Sequence, residues 1–89
     1  MRSRKTRKFV KLLSALPPDI RRRADIAYAQ FCEDPRHPSL RFKKVHSRDP
    51  IYSARITDDY RVVRIVDDDA IIWFWVGKHS DYEKLLESM

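Results

Sequence analysis

The hydrophobic period of this chain changes at Pro38, and that change limits the folds open to it. Before Pro38 apolar residues recur at helical spacing; after it they alternate or run together as in strands. Phe9, Leu12, Leu13 and Leu16 fall at i, i+3, i+4 and i+7, one face of a helix. Pro17 and Pro18 end it, because neither can donate the next backbone hydrogen bond. Pro18 then suits the first turn of a second helix, with Asp19 favourable at its positive end. Ile20, Ala24, Ala27 and Phe31 share one face of that helix, Arg21, Arg22 and Arg23 mostly point elsewhere, and Pro35 and Pro38 stop it. The expected product is an antiparallel helix pair.

Beyond Pro38 the alternation Leu40-Arg41-Phe42-Lys43 predicts a strand over 40–46, and Asp49-Pro50 marks a turn. Strands follow at 51–56 and 60–66, joined by Thr57-Asp58-Asp59. After Asp67-Asp68-Asp69, the run 70–76 is so uniformly apolar and β-branched or aromatic that it reads as a central strand. Short turns between consecutive strands imply an antiparallel meander. Gly77, the only glycine, is expected to end the last strand. Ser80 with Glu83 three residues on fits a capping box for a short C-terminal helix. The expectation is an α+β fold, with an N-terminal helix pair on a four-stranded, mainly antiparallel sheet.

A length of 89 residues argues for a single domain over 1–89. No apolar run is long enough to cross a bilayer, and the basic N-terminus has no apolar segment of the signal-peptide kind. Cys32 stands alone, which excludes an internal disulfide and a thiolate zinc cluster; a half-buried inert thiol in a reducing cytoplasm is the simplest reading. The net charge of +6 conceals a split. Residues 1–48 hold 14 Lys and Arg against 4 acidic residues, and residues 49–89 hold 5 against 9. A basic half suggests an anionic partner, nucleic acid first, or simply a solvated helix surface.

Several chemistries fall away. One glycine cannot build a phosphate-binding loop or a dinucleotide fingerprint. His37, His46 and His79 lack metal-ligand spacing, and Asp67, Asp68 and Asp69 read as a hairpin turn. No metal or small-molecule cofactor is expected. What remains is a set of cations with strand character, Arg41, Lys43, Lys44, Arg55, Arg61 and Arg64. On a sheet face left open by helices they would form an anion-binding surface; otherwise they are the wet side of the sheet. His79 and Tyr82 follow the strongest strand. An imidazole there can move a proton near neutral pH, and a tyrosine can donate one, stack on a base or anchor the last helix.

Residues 37–45 (HPSLRFKKV), 51–63 (IYSARITDDYRVV) and 72–82 (IWFWVGKHSDY) together resemble the RelE/ParE toxin superfamily, with the order and spacing of the segments carrying the likeness. The resemblance implies the toxin of a bacterial type II toxin–antitoxin pair, with a cognate antitoxin protein as partner. RelE-like members are endoribonucleases that inhibit translation by cutting mRNA on the ribosome without a metal. The ribose 2′-OH attacks the adjacent phosphate. A base must take its proton, cations must stabilise the charge gained by the phosphate, and an acid must protonate the leaving oxygen. Carried over by position, Arg61 would stabilise the phosphate, His79 would transfer protons, and Tyr82 would stack on the mRNA base or assist proton transfer. Lys43, Lys44, Arg41, Arg55, Arg64 and Lys78 would hold the RNA. The second strand offers Arg55 where RelE-like members often carry two lysines, and the general base has no clear counterpart. ParE-like members share the fold but poison DNA gyrase, and a non-catalytic member would only bind its antitoxin. A basic RNA-binding module without toxicity is a further alternative.

Overall fold

The computed structural model describes residues 2–89. They form a five-stranded sheet in the order β1-β5-β4-β3-β2. The strands are β1 (Arg2–Lys5), β2 (Lys43–Lys44), β3 (Ile51–Thr57), β4 (Tyr60–Asp67) and β5 (Ala70–Lys78). The helices are α1 (Arg7–Ser14), α2 (Pro18–Glu33) and α3 (His79–Ser88). The four-stranded expectation is therefore one short. β1 pairs in parallel with β5, Arg2 opposite Ala70 and Lys5 opposite Trp73. Its Arg-Ser-Arg-Lys sequence has no apolar alternation and all four residues are exposed, so its strand state comes from the edge it completes.

The two proline-bounded helices stand where the sequence places them. Thr6 caps α1, its Oγ1 accepting from the Phe9 N–H at 3.1 Å. Pro18 occupies the first turn of α2 with Asp19 beside it. The pair does not close as a hairpin packed mainly on itself: α1 lies against β5, and α2 against β3. Their apolar faces meet the same side of the sheet, where Phe9, Phe31, Leu40, Ile71, Trp73 and Val76 form one buried cluster. Strand alternation sends the next residues to the other side. There Ile51, Val63, Trp75 and Tyr82 form a second cluster, with Leu85 and Leu86 of α3 packed on it. Val63 and Val76 are essentially sealed from solvent, each contributing about 2 kcal/mol by burial.

Four local expectations change. The strand over 40–46 shrinks to Lys43–Lys44, because Pro38–Leu40 forms a 3-10 turn and Arg41 takes a left-handed φ of 49°. β5 does not stop at Gly77 but runs through it to Lys78. That glycine serves space rather than an end: a Cβ there would sit 2.9 Å from the Trp75 ring. Ser80 caps nothing, since α3 begins one residue earlier and Lys78 is its N-cap, without a side-chain bond. Instead the His79 N–H donates to the Asp59 carbonyl at 2.7 Å, so the β3–β4 turn satisfies the first orphan donor of the helix. Cys32 is exposed rather than half-buried. The acidic triplet forms the expected hairpin turn, with Asp68 at a φ of 52°.

Candidate active site

The antiparallel register of β3 and β4 sets Arg55 directly opposite Arg61, and that of β4 and β5 sets Arg61 opposite Gly77. The three residues make one row across the sheet, on the face carrying Val63, Trp75 and α3. Like charges opposite one another on adjacent strands destabilise a sheet, so this pairing needs a negative partner. Lys43 pairs with Ser53 and so lies on the same face, two residues along β3 from Arg55. Lys44, paired with Tyr52, points to the opposite face. Arg41 is exposed, just before the edge strand.

The β3–β4 turn shapes the row. Arg61 Nη1 donates to the carbonyls of Thr57 at 2.6 Å, Tyr60 at 3.0 Å and Asp58 at 3.1 Å. Those contacts engage the two N–H groups of Nη1; a guanidinium carries three more. Arg55 Nη1 lies 3.0 Å from the Asp58 carboxylate. His79 opens α3 two residues beyond Gly77, tied to the same turn through its backbone. Its Nδ1 sits 3.3 Å from Glu83 Oε1, one helical turn on. The imidazole is partly exposed, and Lys78 beside it is exposed. Arg55, Arg61 and His79 thus gather at one end of the sheet around the β3–β4 turn.

Tyr82 is placed differently. It is 3% exposed, its ring lies 6.3 Å from Trp75 and 5.8 Å from His79, and its hydroxyl bonds to the buried Ser53 Oγ at 3.0 Å. It anchors α3, and through α3 it sets His79.

Arg64 belongs to neither group. It faces α2, opposite Tyr52 on one side and Trp73 on the other. Its guanidinium stacks 3.7 Å from the Phe42 ring centroid, with Phe31, Trp73 and Tyr52 at 5.0, 5.6 and 5.7 Å. Nε and Nη1 are buried with no hydrogen-bond partner among the described residues. Burial pulls the guanidinium down to about 10, well below its ordinary value, and Tyr52 opposes the shift.

His46 is a turn residue. Its Nδ1 accepts from the backbone N–H groups of Asp49 at 2.9 Å and Arg48 at 3.2 Å. That nitrogen then carries no proton, so the Asp49 carboxylate 3.8 Å away is not ion-paired through it. Among the described residues no three His, Cys, Asp or Glu side chains converge in a way that could hold a metal ion, and no helix is long and apolar enough to cross a membrane. An apolar cavity of about 280 Å³ lies on the other side of the sheet, walled by Phe9, Tyr28, Phe31, Trp73 and Val76. It suits apolar side chains better than a polyanion.

Asp58 and Glu83 stand beside the candidate residues Arg55 and His79, although the sequence suggested only a turn for Asp58 and a helix cap for Glu83. For Glu83 a signal existed, its i+4 spacing from His79. For Asp58 none did, because a turn aspartate is ordinary until the register shows two arginines beside it.

Residues 18–84 match the model of the ParE-like toxin domain. The chain belongs to that family. Solved relatives share the fold of this toxin domain at low identity. A chain of the RelB-RelE antitoxin-toxin complex from Methanococcus jannaschii superposes with a TM-score of 0.75 at 23% identity, over 91% of this chain and 95% of that one. The archaeal RelE-RelB complex from Pyrococcus horikoshii gives 0.69 at 24%, over 86% and 92%. YafQ from Escherichia coli gives 0.74 at 10%, over 92% and 98%. No curated protein matches the sequence.

Proposed function

We propose that this protein is the toxin of a type II toxin–antitoxin pair and acts as a ribosome-dependent mRNA endoribonuclease. The observation that carries the proposal is the Arg55–Arg61 row beside His79. Two cations forced together across strands supply the field that a phosphate gaining charge requires, and the imidazole supplies proton transfer at the same end of the sheet. In this reaction the 2′-oxygen forms a bond to the adjacent phosphorus as its proton leaves. The bond to the 5′-oxygen breaks, and that oxygen takes a proton. Arg61, fixed by the turn, stabilises the pentavalent phosphate, and Arg55 and Lys43 hold the neighbouring backbone. His79 transfers the proton, oriented by Glu83 as an acid orients a catalytic histidine. Tyr82 serves by holding α3, and a stacking role for it would require α3 to lift from the sheet. Lys44, Arg41 and Lys78 remain available for RNA or ribosome contact, whereas Arg64 has a core role.

The partner follows from the same family. The solved RelB-RelE, RelE-RelB and DinJ-YafQ assemblies are toxin–antitoxin complexes. In this chain the apolar cavity reaches Lys5, with Arg21 and Arg22 in an adjoining cleft, which suits an acidic antitoxin segment with an apolar face.

Induced expression followed by primer extension on cellular mRNAs tests the proposal. The expected result is cuts within translated codons, reduced about 10²–10³-fold in Arg61→Ala. Growth arrest with intact mRNA and double-strand DNA breaks would instead establish a ParE-like gyrase poison. One observation favours a member without RNase activity: Arg61 Nη1 and the Tyr82 hydroxyl are both engaged within the protein. Arrest without either lesion, or no arrest at all, would select that reading.

A further inference from the structure

One residue touches both arginines of the row. The Asp58 carboxylate lies 3.0 Å from Arg55 Nη1, while its carbonyl accepts from Arg61 Nη1 at 3.1 Å. The Asp58 side chain is 86% exposed and that of Arg55 34% exposed, so the carboxylate approaches from solvent, the side from which a ligand would arrive. The row needs an anion, because two guanidinium groups opposite each other repel. Asp58 is the acidic residue that meets that need in the free protein. A phosphate oxygen on the Arg55 fork would stand against the same carboxylate, and two anions cannot share one guanidinium edge without repulsion. We infer that Asp58 holds the position of a substrate phosphate and must swing away when RNA binds. This rests on the reading of Arg55 and Arg61 as the phosphate-binding row, and adds an internal competitor to it.

The competitor is weak by construction. Exposed ion pairs are worth little and are screened by salt. Asp58 therefore does not close the site. It discounts single anions, while a polyanion that also reaches Lys43 and Arg61 displaces it through several contacts at once. The consequence is a site that discriminates against isolated small anions and loses that discrimination when Asp58 is neutral.

The test is fluorescence anisotropy with a labelled, 2′-O-methylated single-stranded RNA of about ten nucleotides, which binds but cannot be cut. The proteins are wild type, Asp58→Asn, Asp59→Asn, Arg55→Ala and the Arg55→Ala/Asp58→Asn double variant. Asp59→Asn makes the same change in net charge beside the site and is the control. At low salt Asp58→Asn is expected to tighten binding about fivefold, well beyond Asp59→Asn, with the gain shrinking as salt rises. Arg55→Ala should weaken binding and abolish the gain from Asp58→Asn. Asp58→Ser, also compatible with a turn, should repeat the effect if the amide variant folds poorly. Equal effects of Asp58→Asn and Asp59→Asn, or a gain that persists without Arg55, would overturn the inference while leaving the row intact. Arg55→Ala binding as well as wild type, or no binding by any variant, would overturn the reading of the row and the inference with it.

Discussion

Tyr82 and Arg64 show how much a residue's role depends on which face of the sheet receives it. Tyr82 closes the second core, with its ring near Trp75 and its hydroxyl on Ser53. Tyr82→Phe leaves the Ser53 oxygen buried and unpaired, and should cost about 1–2 kcal/mol in urea unfolding while keeping mRNA cleavage near wild type. Tyr82→Ala should cost about 3–5 kcal/mol and loosen α3. A Phe variant that folds normally but no longer cuts would show a chemical role for the hydroxyl. Arg64 is a cation held among four rings with two nitrogens, Nε and Nη1, unpaired. Its folded pKa is depressed, so the charged form burdens the folded state at every pH below about 10, and the burden lifts only as the pH rises past that value. The rings offset part of the cost through cation–π attraction of about 0.5–2 kcal/mol. Arg64→Met should therefore shift stability by less than about 1 kcal/mol, and Arg64→Ala should lose about 2 kcal/mol of packing, both measured by urea midpoint. Neither should alter RNA binding, because Arg64 lies on the far side of the sheet from Arg55 and Arg61.

At the scale of elements, β1 does more than its exposed residues suggest. Ser3 Oγ accepts from Trp73 Nε1 at 2.9 Å and from the Tyr28 hydroxyl at 3.1 Å, and Lys5 Nζ lies 5.1 Å over the Tyr28 ring. The strand thus links β5 to α2 and covers an edge that would otherwise recruit other chains. Deleting residues 1–5 should lower the melting temperature and produce concentration-dependent association by light scattering. Ser3→Ala alone, which leaves the buried indole N–H unpaired, should cost about 1–2 kcal/mol without association. The β3–β4 turn is the other decisive element. It holds Arg61, engages Arg55 and caps α3, so the candidate site is built around two-residue hairpin geometry rather than a pocket.

The whole molecule carries its charge unevenly, and salt dependence reads this out. Each cation that neutralises a phosphate of single-stranded RNA adds about 0.7 to the slope of log K against log salt. Arg55→Ala and Arg61→Ala should each reduce that slope by about 0.7, while Arg64→Met leaves it unchanged. Arg7, Lys8 and Lys11 of α1, with no acidic residue among them, lie across the sheet from this row and are better placed for another partner than for a phosphate on the row, whereas the arginines of α2 are balanced by Asp19, Asp25 and Glu33. A slope equally sensitive to substitutions on α2 and on the row would mean that RNA binds the protein as a general polycation, with no defined site.

The sequence alone determined the two helices, the meander and the C-terminal helix, because prolines, periodicity and turn residues act locally. It also narrowed the candidate chemistry to a set of cations with His79 and Tyr82, and its motif order pointed to the family. It could not reveal β1, whose Arg-Ser-Arg-Lys is a strand only because β5 offers an open edge. Nor could it separate Arg55 and Arg61 from Arg64, three arginines with the same local pattern. Register decides that, since one step along a strand reverses the face: Arg61 meets Arg55 and the turn, and Arg64 meets the aromatic core. Tyr82 likewise read as an anchor or as chemistry, with the resemblance assigning it to chemistry, and only the packing of α3 shows it buried. Local signals chose the elements; the pairing of strands distant in sequence chose which side chains meet.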